Sequence, residues 1–255
     1  SNSSATSDVY KRQGQKIMVE FVSANPTGPM HMGNARGGAL GDCLAAVLDW
    51  SGYDVTREFY INDAGNQIQK FGKSLAVRYL QQFCGEEAYP LPAECYQGGD
   101  IKVLAGEFAE INGDKYVAAC SGLDEEVLFA SEAFETLKNA LVDYALPKNI
   151  AALKRDLGKY RISYDVWFHE SDLHKSGAVD DVIKILMDKG ACYKAEDGAI
   201  MYRSAQYAAK YGVVNKRKTE DGSEEEAKDE VLVRANGIPT YFAADIAYHL
   251  SLIHI

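Results

Sequence analysis

The sequence predicts an α/β protein built on a parallel, Rossmann-like sheet, and three stretches near its start carry that prediction. "IMVEFV" (17–22) is rich in β-branched and aromatic residues and ends at a turn cluster, so it reads as a short buried strand. From Met32 to Ser51 apolar residues recur at steps of three and four (Leu40, Cys43, Leu44, Val47, Leu48), the spacing of a helix, and Gly52 ends it. "DVTREFYI" (54–61) then reads as a second strand. Strand, glycine-rich turn, helix and strand make a βαβ unit, the seed of a parallel sheet with a right-handed crossover.

The remaining elements follow in order. "AGNQIQKFGKSLAVRYLQQF" after Asp63 predicts a helix. Residues 85–123 are mixed, with "YPLPAEC" and "YQGGD" as turns, and a helical stretch spans about Asp124 to Leu157. Together they predict a helical or mixed insertion at about 85–160. "YDVWF" (164–168) is strand-like, and "GAVDDVIKILMDKG" (177–190) is a helix with a glycine stop. "AIMYRS" (199–204) and "EVLVRA" (230–235) predict strands on either side of the charge run 215–230, which reads as a solvated loop; a nucleic-acid-facing role for Lys216, Arg217 and Lys218 is the weaker alternative. "GIPTYFAADIAYHL" (237–250) predicts a turn entering a helix.

Bulk properties narrow the class. The chain has 255 residues, 47% of them hydrophobic, enough for a sizeable core. No apolar run reaches the ~18 residues of a membrane span, and the polar N-terminus has no signal-peptide core. Five cysteines form no C-x-x-C pair, which predicts free thiols and a cytoplasmic setting. A net charge of −10 favours small-molecule chemistry over a general nucleic-acid binder.

The turn itself, "NPTGPMHMGNARGG", holds more glycine and proline than a plain strand–helix connection needs. A helix N-terminus offers free N–H groups and the positive end of a dipole, which suits a phosphate. Gly33 lets a ligand lie against bare backbone, and His31 offers a ring N–H without a fixed charge. The spacing matches neither the dinucleotide fingerprint nor the P-loop.

"HMGN" (31–34) resembles the H-I-G-H signature of class I aminoacyl-tRNA synthetases. "VEFVSANPTGPMHMGNARGGALGD" followed by "GYDVTREFYINDAGNQI" is very similar to the core of arginyl-tRNA synthetases. "YDVWFHESDLH", "VLVRANGIPTYFAADIAYH" and the weaker "YQGGDI" agree in order, so the resemblance covers about Lys16 to His249. It implies a class I catalytic core that activates L-arginine with ATP to arginyl-adenylate, releasing pyrophosphate, and passes the arginyl group to tRNA. Mg²⁺ is expected to arrive with ATP rather than in a protein cage.

The same resemblance implies roles residue by residue. His31, Gly33 and Asn34 stand in the catalytic signature, and with Pro29 they form the ATP-binding turn. Glu20, Ser23, Asn25, Asp63, Glu170, Tyr241 and Asp245 form the arginine pocket, with Asn25 holding the α-amino group beside Ser23. Chemistry is consistent with this, since a guanidinium wants a carboxylate partner. Tyr241 and Asp245 are one helical turn apart and share a face, which an ordinary surface pair would also do. Glu20 sits in an apolar strand, where a carboxylate is costly to bury unpaired. It either meets a cation there or faces solvent at the strand end. Asp63 follows the second strand at the sheet's C-terminal end, where open α/β sheets bind ligands.

The sequence also departs from that pattern. Asn34 replaces the second signature histidine, and asparagine still donates to phosphate. The K-M-S-K-S loop is absent, and the stretch before His31 has Gly28 and no compensating lysine. Residues 1–15 resemble no family segment and are expected to be a non-native or disordered leader, and 250–255 a non-family tail, leaving a catalytic fragment expected not to charge tRNA alone. Another class I adenylyl-transferring enzyme, or a non-catalytic arginine- or ATP-binding module, are the alternatives.

Overall fold

The computed structural model describes residues 14–212 and 228–252, with the backbone alone of a two-residue ribbon, Arg217–Lys218 paired antiparallel with Glu224–Glu225. Lys216, in the predicted loop, lies outside the described residues. The chain divides into two compact units, residues 1–169 and 170–255.

The first unit carries the sheet. β1 (Lys16–Glu20), β2 (Asp54–Ile61) and β3 (Val166–His169) run parallel in the order β1-β2-β3. The first βαβ unit is present as predicted, with α1 (Met32–Trp50) between β1 and β2. α1 approaches the sheet closely because its inner face is Gly38, Gly41 and Ala45. A Cβ on Gly41 would lie 2.2 Å from Phe21 Cγ.

The stretch 85–160 is more regular than the sequence shows. α2 (Gly65–Cys84) is followed by α3 (Gly99–Asn112), α4 (Val117–Cys120), α5 (Glu125–Ala130) and α6 (Glu132–Lys159). The helix predicted from Asp124 is in fact two, broken at Ser131, whose hydroxyl caps α6 by accepting the Phe134 N–H at 3.2 Å. Phe71, Leu75, Tyr79, Ile101, Phe108, Leu137 and Leu141 form one core among α2, α3 and α6. A second core lies on the sheet, where Phe21, Phe59 and Ile61 meet Leu153 and Leu157 of α6. Trp167 stacks on Phe59 with ring centroids 4.6 Å apart.

The second unit contains α7 (Glu170–Lys175), α8 (Ala178–Asp188) and the antiparallel strands β4 (Cys192–Lys194), β5 (Ile200–Tyr202) and β8 (Glu230–Val233); the ribbon strands are β6 and β7. It also holds α9 (Ser204–Tyr211) and α10 (Tyr241–Leu252). α10 continues two residues past the predicted end. β4 and α9 have no clear sequence signal, being three and eight residues long.

The five cysteines are free thiols. Burial raises the pKa of Cys95, Cys120 and Cys192. Among the described residues no helix is long and apolar enough to cross a membrane.

Candidate active site

β1 leads into a strained turn. Val22 and Ser23 have φ of 69° and 41°, the left-handed region that a β-branched residue strongly avoids. The Ser23 N–H donates back to the Phe21 carbonyl at 3.0 Å, closing a three-residue turn. That carbonyl also accepts the Tyr164 hydroxyl at 3.0 Å, and the Ser23 Oγ accepts the Tyr60 N–H at 3.1 Å. These three bonds hold the chain where it leaves the sheet, and strain of this kind collects at functional sites.

The turn then reaches α1. His31 is its N-cap: Nδ1 accepts the Gly33 N–H at 3.1 Å, and the His31 N–H donates to Asn34 Oδ1 at 3.0 Å. This reciprocal pair is a capping box with unusual residues. Accepting at Nδ1 assigns the neutral ring's proton to Nε2, so one donor remains for a ligand. Asn34 likewise keeps its Nδ2 hydrogens. Gly33 is required by the ring, because a Cβ there would sit 2.9 Å from His31 Cε1.

Ser23, Asn25, Pro29, His31 and Asn34 line one cleft of about 480 Å³ at the C-terminal edge of the sheet. Five of the predicted site residues are therefore brought together. The opposite wall was not predicted as site: Tyr96, Gly98, Asp100 and Ile101, from the end of a loop and the first turn of α3. The block "YQGGDI" was the available signal. A Cβ on Gly98 would meet Asp100 Oδ1 at 2.2 Å, and one on Gly28 would meet Oδ2 at 3.4 Å, so the Asp100 carboxylate lies close to both glycines. From α6, Asn149 Nδ2 donates to the Pro26 carbonyl at 2.9 Å and braces the turn.

The other predicted residues are elsewhere. Glu20 is the last residue of β1 and is exposed, so burial inside an apolar strand is corrected to the strand-end reading. The glutamate that is buried is its register partner Glu58, at 2% exposure, which alternation in "DVTREFYI" did not single out. Asp63, two residues past β2, pairs with His169, the last residue of β3, Oδ2 to Nδ1 at 2.8 Å. In the second unit Glu170 is buried at the start of α7, with His174 Nε2 3.9 Å from its carboxylate. Tyr241 and Asp245 lie one turn apart on the exposed side of α10, and His249 Nδ1–H donates to the Asp245 carbonyl at 2.7 Å. Tyr241 lines a second cleft, of about 550 Å³, with Tyr202, Tyr207 and Phe242. Among the described residues no three metal-ligating side chains converge.

A parallel sheet whose first strand–helix turn brings a helix N-terminus and a histidine donor to a cleft has the architecture of the α/β domains that place ligands at the carboxyl ends of their strands. The family model described as "tRNA synthetases class I (R), catalytic domain" matches residues 2–231, and the chain belongs to that family. It is 53% identical over 236 residues to an arginine–tRNA ligase of Ruminiclostridium cellulolyticum, and 49% over 237 residues to one of Acetivibrio thermocellus. These alignments cover 92% and 93% of the chain but 36% of each relative, so the chain spans about a third of their length. A crystal structure described as an arginyl-tRNA synthetase from Campylobacter jejuni superposes with a TM-score of 0.68 at 29% identity, over 98% of this chain and 49% of that one. The arginyl-tRNA synthetase of Thermus thermophilus shares the fold, with a TM-score of 0.59 at 21% identity, over 96% of this chain and 38% of that one.

Proposed function

We propose that the chain is the catalytic core of an arginine–tRNA ligase, binding ATP at the His31 turn and activating L-arginine in the cytoplasm. The observation that carries this reading is the bond from the Gly33 N–H to His31 Nδ1, which leaves Nε2–H as the donor on the cleft. The substrate carboxylate is already a nucleophile. Attack on the α-phosphate therefore needs alignment and charge stabilisation, not a general base. The arginine carboxylate forms a bond to the α-phosphorus, the bond to the bridging oxygen breaks, and pyrophosphate leaves with its electron pair. His31 Nε2–H and Asn34 Nδ2 receive the phosphate charge at the positive end of the α1 dipole, with Pro29 shaping the approach. Mg²⁺, arriving on the triphosphate, supplies further neutralisation; Asp100 is the carboxylate on the cleft wall suited to face it.

For the amino acid, Asn25 and Ser23 in the first unit take the α-amino group, and Glu20 and Asp63 are that unit's candidate carboxylates for the guanidinium; within the second unit, Tyr241, Asp245 and Glu170 are its own candidates for a guanidinium. Transfer to the tRNA 3′ end belongs, on this reading, to a protein of the relatives' length, and the 255-residue chain alone binds ligands without charging tRNA. Calorimetry with Mg·ATP, L-arginine, L-lysine and L-citrulline tests the proposal. Binding of ATP and selective binding of arginine are expected. Equal affinity for citrulline would refute a carboxylate-based pocket, and robust aminoacylation by this chain would refute the last step.

A further inference from the structure

Tyr96 stands on the cleft wall opposite His31 and takes no part in the phosphate or amino-acid contacts. Four residues of α2 hold its side chain. They are Gln67, Lys70, Phe71 and Ser74, and their spacing puts them on one helix face. The buried Ser74 hydroxyl accepts the Tyr96 N–H at 2.9 Å and donates to the Lys70 carbonyl at 2.7 Å. The Tyr96 hydroxyl donates to Gln67 Oε1. The Phe71 and Tyr96 rings meet edge to face at 74°, with centroids 6.5 Å apart, and Lys70 Nζ lies 4.9 Å from the Tyr96 centroid. Tyr96 packs against the helical core yet stays half-buried and lines the cleft, so its ring is fixed before any ligand arrives.

We propose that Tyr96 is the platform on which the purine base of the nucleotide stacks, an inference that rests on the reading of this cleft as the ATP site. A nucleotide needs a polar end for its phosphates and a flat, apolar end for its base. His31 and Asn34 supply the first, and Tyr96, with Ile101 also in the lining, supplies the second. Two groups in the proposed reaction present a broad flat face, the purine and the guanidinium. Lys70 decides between them. Its ammonium already engages the π-system of the ring, and a guanidinium stacked there would meet a like charge, whereas a neutral purine meets none. Stacking is indifferent to the hydrogen-bonding edge of a base. The platform therefore fixes where the base lies and leaves the choice among bases to other groups.

Calorimetry of the intact chain with Mg·ATP and with magnesium tripolyphosphate, which has no base, tests this. Tyr96→Leu should weaken Mg·ATP about 5- to 150-fold, the range for one stacked base, and leave tripolyphosphate and L-arginine unchanged. Tyr96→Phe keeps the ring and should lose no more than about five-fold. Nuclear Overhauser effects from the bound purine H2 or H8 should reach tyrosine ring protons in the wild type and phenylalanine ring protons in Tyr96→Phe, a readout that does not depend on the leucine variant folding. Equal losses for tripolyphosphate and ATP, an unchanged ATP affinity in Tyr96→Leu, or contacts that stay on a tyrosine in Tyr96→Phe would overturn the platform alone. Lost arginine affinity with ATP affinity retained would also overturn it, by giving the ring to the guanidinium. A wild type that binds neither polyphosphate would overturn the nucleotide reading along with it.

Discussion

Replacing His31 with alanine or with asparagine separates the two tasks of its ring. Nδ1 caps α1, and His31 lines the cleft with Nε2–H as its remaining donor. Alanine removes both groups. Loss of an N-cap side chain costs about 1 kcal/mol, which lowers Tm by roughly 2–4 °C in a domain of this size. Asparagine is among the best N-cap residues, so His31→Asn keeps the acceptor for the Gly33 N–H and should stay within ~0.5 kcal/mol of wild type. Both variants lose the ring donor. A hydrogen bond to a charged group contributes about 1.5–3 kcal/mol, so Mg·ATP affinity should fall roughly 10- to 150-fold in each. Calorimetry reads the affinity and differential scanning calorimetry the stability. Equal Tm losses in the two variants would refute the capping assignment, and an unchanged ATP affinity in His31→Ala would refute the phosphate assignment. Gly33→Ala adds a cross-check. It gains up to ~1 kcal/mol of helix propensity while its Cβ drives the imidazole aside, so affinity should drop without a matching loss of Tm.

Gly41→Ala should be the more damaging glycine change, because its Cβ meets Phe21 at 2.2 Å beside the β-carbon rather than at a mobile tip; a loss of about 1–3 kcal/mol by denaturant titration is expected. The Tyr164 hydroxyl has its pKa pushed upward by burial first, then by the Asp42 and Glu20 carboxylates. The unfolded tyrosine therefore releases its proton first, and stability present below about pH 10 should be lost as pH rises beyond it. Tyr164→Phe should flatten that alkaline slope while costing ~1 kcal/mol at neutral pH through the lost bond to the Phe21 carbonyl, measured by urea unfolding across pH. Asp100→Asn should tighten binding of magnesium-free ATP several-fold, since a carboxylate a few ångströms from a phosphate repels it by ~1 kcal/mol or more. It should also shrink the gain from adding Mg²⁺, and calorimetry with and without EDTA would detect either failure.

The first βαβ unit was legible because its signals are local: strand composition, punctuation by glycine, and apolar steps of three and four. What lay between Cys84 and Glu125 was not. α3 sits among turn motifs, and its buried residues Ile101, Leu104, Ala105 and Phe108 make a helical stripe only when read from Gly99 onward. Half of the cleft was legible for the same reason, since Asn25, His31 and Asn34 fall within one short stretch. The other half comes from Tyr96 and Asp100, more than sixty residues later, and no spacing rule joins segments that tertiary packing brings together. Glu20 and Glu58 show the converse limit. Apolar neighbours suggested burial for Glu20, yet its place as the last residue of β1 exposes it, while Glu58 is deep in the middle strand of the sheet.

Strain and capping at the turn have a common structural logic. Val22 and Ser23 are held in a costly conformation by bonds from Tyr60 and Tyr164, on β2 and just before β3. Asn149 of α6 secures the next carbonyl but two, at Pro26. Three separate elements thus fix the path from β1 to His31, and α1 fixes the ring itself through Gly33. A turn so over-determined loses little entropy when a ligand arrives, which is what electrostatic stabilisation of a phosphate requires. The bond that starts the helix also selects the tautomer, so folding of α1 and readiness of the donor are one event. A variant that frays the first turn of α1 should therefore lose ATP affinity even with every cleft side chain intact.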